Sequence, residues 1–455
     1  MPNQLARQFP PDFVWGAATA SYQIEGAANE DGRGESVWDR FCATPGKVRN
    51  GDTGAVACDF YHRYRDDIAL MRELGIDAFR FSIAWPRILP EGRGRVNQAG
   101  LDFYDRLVDE LLGNGIAPYV TLFHWDTPQP LEDAGGWPAR ATVDAFSEYV
   151  EVVAERLGDR VGHWITHNEP WVVSWLGYGT GHHAPGRTSE ADALATSHHL
   201  LLSHGRAVEI LRRLSPQSEI GITLNLDHAY PASDDPADLA AARWIDGKHN
   251  RWFLDPLFRG SYPEDMVAGW AAIMPAIEAG DLATISAPID FLGVNNYTSP
   301  VVAAGSNGAG PQIVRRPNAE RTDMGWEVVP DGLHDLLVRV ARDYEPKAVY
   351  VTENGAAYAD VRGHDGSVSD LERQAFIGAY LGAAGRALSA GVPLRGYFPW
   401  SLLDNFEWAW GYWKRFGLIY IDYVTLERIP KGSFHWYRDL IAAQRARTAD
   451  SEEAA

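Results

Sequence analysis

Cysteine is almost absent: Cys42 and Cys58 are the only two in 455 residues. A disulfide framework is thereby excluded, and one loop-closing bridge is the most the chain could form. Whether the two pair is left open by the sequence, with free thiols as the expectation. Basic charge is also scarce. Against 61 acidic residues stand 41 lysines and arginines, a formal charge of -20, which repels phosphate backbones and anionic lipid surfaces alike. Neither a nucleic-acid nor a membrane partner is expected. No apolar run approaches the roughly 18 residues that a membrane span requires. Residues 1–10 have no charged segment followed by an apolar stretch and a small-residue cleavage site, so a cytoplasmic protein is expected. There is no shift in composition, no fixed-period repeat and no linker rich in proline or serine. One domain over residues 1–455 is the economical reading, with a tail after about residue 442 expected to be mobile.

What is present is an ordinary globular balance, 45% apolar and 22% charged, with an excess of aromatics. Seventeen tryptophans accompany 19 tyrosines and 17 phenylalanines. Most must pack in a core, but flat aromatic faces also stack on the C–H faces of sugars, which brings in carbohydrate as a substrate class.

Short β-branched or aromatic runs recur with helical patterns between them, the signature of βα units and a parallel sheet. Eight can be counted, at residues 13–17, 78–83, 117–123, 163–167, 219–224, 291–294, 348–352 and 396–400. Eight is the number that closes a (β/α)8 TIM barrel, in which the chemistry belongs to loops at the C-terminal face of the strands. Helical spacing is clearest over 61–74, 101–114, 141–157 and 192–214. Gly75, Gly115 and Gly158 follow three of these where a left-handed cap would sit. Residues 303–325 are polar and rich in glycine and alanine, and read as a long loop over the barrel mouth.

Two segments place a glutamate directly after a strand-like run: Asn168-Glu169-Pro170 after the fourth, Thr352-Glu353-Asn354-Gly355 after the seventh. Taken alone, a strand-end glutamate is more often a capping residue. Two on one barrel face could instead divide the work of cleaving a glycosidic bond, one protonating the leaving oxygen and the other attacking the anomeric carbon or activating water. Their neighbours favour that reading. Asn168 could donate to a sugar hydroxyl. At the end of the third run, His124 could bind a hydroxyl and Trp125 form a wall. Trp400, Glu407 and Trp408 lie in one segment after the eighth run, and a carboxylate beside an aromatic floor suits a polyol.

Weaker signals carry no site. Gly177 to Gly181 lacks the dinucleotide-binding spacing and reads as a turn lining the pocket. His198, His199 and His204 lack the pairing of a zinc site, and no metal is expected. The acceptor pattern Asn296-Tyr297-Thr298 falls inside the expected barrel mouth, against glycosylation.

These segments, together with the run from Phe13 to Gly26 (FVWGAATASYQIEG), resemble glycoside hydrolase family 1, the β-glucosidase family, over about residues 9–437. The resemblance implies a single (β/α)8 barrel with extended loops, and a retaining double displacement with no cofactor. In it Glu169 is the acid/base and Glu353 the nucleophile. By position Gln23, His124, Asn168, Trp400, Glu407 and Trp408 look like residues binding the nonreducing sugar, with Trp125 and Asn295 beside them. Tyr297 looks like the tyrosine that orients the nucleophile, and Trp326 like a platform for the leaving group. The implied substrate is a small β-glycoside or cello-oligosaccharide with a terminal β-glucosyl, and by extension a β-galactosyl or β-fucosyl, residue. Glu407 argues against a phosphorylated sugar, since a carboxylate repels phosphate. A non-catalytic sugar binder and a transglycosylase using the same residues are the alternatives, and the oligomeric state is open. Two positions depart from the family pattern, His167 and Asn296. Alternation turns His167 away from Asn168 toward the helix layer.

Overall fold

The computed structural model describes residues 2–306 and 310–453. Eight strands form a closed barrel: β1 (Val14–Ala18), β2 (Ala78–Ser82), β3 (Ala117–Phe123), β4 (His163–Asn168), β5 (Glu219–Asn225), β6 (Phe291–Asn295), β7 (Val349–Asn354) and β8 (Leu394–Pro399). All neighbours pair in parallel, and β8 closes on β1 through Val14 with Gly396 and Trp15 with Tyr397. Each of the eight runs expected from sequence is a barrel strand, with ends shifted by at most two residues. The layer outside includes α1 (Phe60–Leu74), α2 (Gln98–Gly113), α3 (Ala141–Leu157), α4 (Glu190–Leu214), α5 (Trp252–Arg259), α6 (Pro330–Tyr344), α7 (Leu371–Ser389) and α8 (Gly432–Glu453).

Side-chain alternation sorts residues between two cores. Outward positions such as Phe79, Phe81, Val349 and Val351 join the large cluster shared with the helices. Inward positions meet inside: Tyr119 lies 5.1 Å from Phe398 and 5.6 Å from Tyr350, both on strands that are not its neighbours, and Phe291 lies 5.3 Å from Tyr350 on the adjacent strand. This aromatic plug requires small residues opposite it. A Cβ on Gly16 would fall 2.2 Å from the Phe398 ring, and one on Gly221 2.5 Å from Phe291.

Three local expectations are corrected. Gly75 and Gly115 are left-handed, but Gly158 caps α3 in the right-handed region (φ -66°). It is glycine for space, since a Cβ would meet the carbonyl oxygens of Ala154 at 2.4 Å and Leu214 at 2.9 Å. Gly177 is not in a turn but within a π-helix, Val172–Gly179. Within residues 303–325, Gln312–Val314 pairs antiparallel with Val301–Ala303, which pairs with Tyr230–Pro231, so part of the expected loop is a small sheet. Helix α8 continues well past Ala442: Gln444 donates to the Pro10 carbonyl (2.7 Å) and Arg447 to that of Ala6 (2.9 Å).

Candidate active site

The two strands that end in glutamate share a departure from regular pairing at their C-terminal ends. The β4–β5 register shifts between Ile165 and Asn168, and β7 shifts against both neighbours around Val351 to Asn354. Such irregularities re-aim side chains. On β4, Thr166 and His167 both turn to α4, bonding His204 (2.7 Å) and Ser203 (2.8 Å), and the next two residues, Asn168 and Glu169, both turn inward. Glu169 itself has φ 50°, and Trp125 and Trp408 are also left-handed (78° and 49°). Each such residue costs about 1–3 kcal/mol of backbone strain that the surrounding packing must offset.

Both oxygens of Glu353 accept hydrogen bonds. Tyr297 donates its hydroxyl to Oε2 at 2.6 Å, and Arg80 forms a very short ion pair with Oε1. Arg80 is fully buried on β2 and also donates to Asn168 Oδ1 at 2.7 Å. Sequence reasoning missed it. Its signal was a lone charge in the otherwise apolar strand Ala78–Ser82, which must find a partner when buried.

Glu169 has a different setting. Asn295 donates to its Oε1 at 2.6 Å and to Asn168 Oδ1 at 3.0 Å. Burial first, then repulsion from Glu353, raise the Glu169 carboxyl well above the usual range, and the Asn295 bond and Arg80 only partly offset this.

Hydrogen-bond logic fixes the next residues. Arg80 cannot accept, so Asn168 must present oxygen to it and its amide nitrogen to His124 Nε2, 3.1 Å away. Burial, aided by Arg80, holds the His124 pKa far below normal. The ring is therefore neutral, its Nε2 accepts, and Nδ1–H is left as a buried donor without a protein partner. Gln23 donates to Asn405 Oδ1 (3.1 Å) and the Phe406 carbonyl (2.9 Å), leaving its buried Oε1 an acceptor with none. Glu407 Oε2 is the third such atom. Burial, then Glu353, pushes Glu407 up to about 8, and the Trp400 side chain opposes the shift. The His124 ring stacks between Trp400 (5.9 Å, 19°) and Trp408 (6.0 Å, 16°).

A cavity of about 410 Å³ opens over these groups. Of the residues expected at the site, His124, Trp125, Glu169, Asn295, Tyr297, Trp326, Glu353, Trp400, Glu407 and Trp408 line it. Asn168 and Gln23 do not; Asn168 bonds the lining residues His124 and Asn295, and Gln23 bonds the chain just before Glu407. Trp326 packs 5.4 Å from Tyr297 at the outer part. Sequence reasoning also missed Asn225, Asp227 and His249, which line the same cavity from the end of β5 and the chain after it. Nothing in their local pattern marks them. The other histidines singled out are held in the helix layer, His198 by Tyr262 and Asp281 and His199 by the Trp137 carbonyl. Asn296, on the glycosylation pattern, is buried and donates to the Leu226 carbonyl. Among the described residues no helix is long and apolar enough to cross a membrane.

The family profile described as "Glycosyl hydrolase family 1" matches residues 5–446. Beta-glucosidase A of Acetivibrio thermocellus is 50% identical over 438 residues, which cover 95% of this chain and 98% of that protein. A bifunctional beta-D-glucosidase/beta-D-fucosidase of Bifidobacterium breve is 44% identical, covering 96% and 99%. The solved structure of a beta-glucosidase from Thermotoga maritima in complex with glucoimidazole superposes with a TM-score of 0.94 at 48% identity, covering 96% of this chain and 99% of that one.

Proposed function

The chain belongs to glycosyl hydrolase family 1, and we propose that it releases terminal β-D-glucosyl residues with Glu353 as nucleophile and Glu169 as acid and then base. A carboxylate oxygen of Glu353 attacks the anomeric carbon, the bond to the leaving oxygen breaks with its electron pair, and that oxygen takes the Glu169 proton. A glycosyl ester forms. Once Glu353 is esterified its charge is gone, and so is the repulsion that held the Glu169 carboxyl up. Glu169 can then take a proton from water, whose oxygen attacks the same carbon and displaces Glu353. Two inversions leave the configuration retained.

The observation that carries this reading is the unlike treatment of two glutamates lining one cavity. One is held by Arg80 and Tyr297; the other is desolvated and repelled. Beside them lie a buried donor on His124 and a buried acceptor on Glu407, neither with a protein partner, with indole faces at hand. Hydroxyl groups and C–H faces of an unphosphorylated pyranose match that set. A glucoside is the main substrate, and a β-fucoside, named for the Bifidobacterium relative, is a second. Two unpaired buried thiols suit a reducing compartment, and a cytoplasmic location follows from this reading. Proton NMR of an aryl β-glucoside digest tests the mechanism: β-glucose appears first, and initial release of the α anomer overturns it.

A further inference from the structure

Two strand residues beneath the cavity carry hydroxyls that the double displacement does not touch. Thr352 on β7 and Thr223 on β5 are fully buried, and neither is among the residues lining the cavity. They meet across β6, where Gly293 leaves the space: a Cβ there would fall 2.2 Å from Thr223 Oγ1 and 2.9 Å from Thr352 Oγ1. Thr223 Oγ1 lies 3.3 Å from Thr352 Oγ1, which lies 2.7 Å from Asn295 Oδ1. Asn295 is the residue whose amide reaches Glu169.

Donor and acceptor roles along this chain are determined. Arg80 has only donors, so Asn168 presents Oδ1 to it, and that same oxygen accepts from the Asn295 amide at 3.0 Å. The other amide hydrogen of Asn295 goes to Glu169 Oε1 at 2.6 Å. Asn295 Oδ1 therefore points away from both and needs a donor. Thr352 supplies it, and having given its proton to Asn295 it accepts from Thr223. A hydroxyl that donates to an amide oxygen also strengthens the amide N–H as a donor. Without it a buried carbonyl oxygen is left empty, and the amide relieves that by turning, which draws its nitrogen off Glu169.

We propose that Thr352, backed by Thr223, is a positioning residue: its hydroxyl holds the Asn295 amide with nitrogen toward Glu169, so the strand that carries Glu353 also sets the donor held against its partner acid. The link to turnover rests on the hydrolase reading above. The other groups around Glu169 are unaltered by a change at Thr352. Glu353 on β7 and Asp227 after β5 repel its charge, and Arg80 on β2 attracts it. Glu407 after β8 and Tyr297 after β6 line the same cavity, where His124, His183 and His249 are neutral because burial lowers each. The Asn295 bond favours the charged form of Glu169, so weakening it makes that carboxyl titrate higher.

The test is the titration of the Glu169 carboxyl carbon by NMR, assigned by its absence in Glu169→Gln. In Thr352→Val, which keeps the shape and removes the hydroxyl, the midpoint should rise by about 0.5 pH unit or more, part of one hydrogen bond to a charged group. Thr352→Ser should restore the parent value. Thr223→Val, the second variant should Thr352→Val disturb folding, should move it in the same direction by less. In an Asn295→Ala background Thr352→Val should add nothing. A smaller rise or a fall in Thr352→Val, an equal rise in Thr352→Ser, or a further rise on top of Asn295→Ala overturns the proposal. On cellobiose the alkaline limb of kcat/KM should follow the carboxyl. A limb that stays while the carboxyl moves, or a parent that does not cleave cellobiose, overturns the hydrolase reading and leaves the threonine chain standing.

Discussion

The ends of β4 and β7 carry the same residue type on the same face of one barrel, yet they treat it in opposite ways. At β7, Glu353 receives a guanidinium and a phenol. At β4, Glu169 receives one amide, a dry surrounding and a neighbouring charge that repels its own. The difference is made by residues outside either glutamate motif: Arg80 on β2, Asn295 at the end of β6 and Tyr297 just beyond it. The proposed division of labour between two carboxylic acids rests on what the rest of the barrel brings to them.

The hardest test of that contrast is Glu353→Gln, which keeps the shape and removes the nucleophile. Turnover of every β-glycoside should fall by about 10⁴-fold or more with the melting temperature preserved; substantial residual turnover would break the assignment at β7. Glu169→Gln comes next. Loss of a general acid lowers kcat/KM on cellobiose by about 10²–10⁴-fold, and by much less on a nitrophenyl glucoside, whose leaving group departs without a proton. Equal losses on the two substrates would remove the acid role from β4.

Tyr297→Phe sharpens the comparison by deleting one donor to Glu353. A hydrogen bond to a charged group contributes about 1.5–3 kcal/mol, so kcat should drop about 10–100-fold with little change in KM. A change confined to KM would mean that Tyr297 touches the sugar and not the nucleophile.

The smallest effect concerns pH. Asn295 stabilises the charged form of Glu169, so in Asn295→Ala the carboxyl titrates higher, the proton is kept to higher pH, and the alkaline limb of kcat/KM moves up. In Glu353→Gln the repulsion is removed and Glu169 should titrate lower, read by NMR of its carboxyl carbon. Shifts of the opposite sign would mean that another group controls the limb.

Much of this architecture was legible locally. The eight strands were readable because each buried run is bounded by its own turn and helix signals, and the two glutamates because each follows a strand directly. His167 was assigned to the helix layer by alternation alone, and its bond to Ser203 places it there. Gly158 was misread for a definable reason: a glycine after a helix signals a left-handed cap, but here the carbonyls of Ala154 and Leu214 require the missing Cβ. Arg80 left one legible trace, a charge within an apolar strand. Asp227 and His249 left none, because their place at the cavity depends on how the chain between β5 and β6 folds back.

By itself the sequence determined the strand count and the barrel and marked both carboxylates as candidates, since these follow from periodicity and residue type over short stretches. Only the tertiary structure decided which carboxylate is held by donors and which is pushed toward its protonated form. Burial and Coulomb repulsion act through space, and the groups that impose them, Arg80, Asn295, Tyr297 and the two glutamates on each other, converge from four different strands of the closed barrel and the chain just beyond their ends.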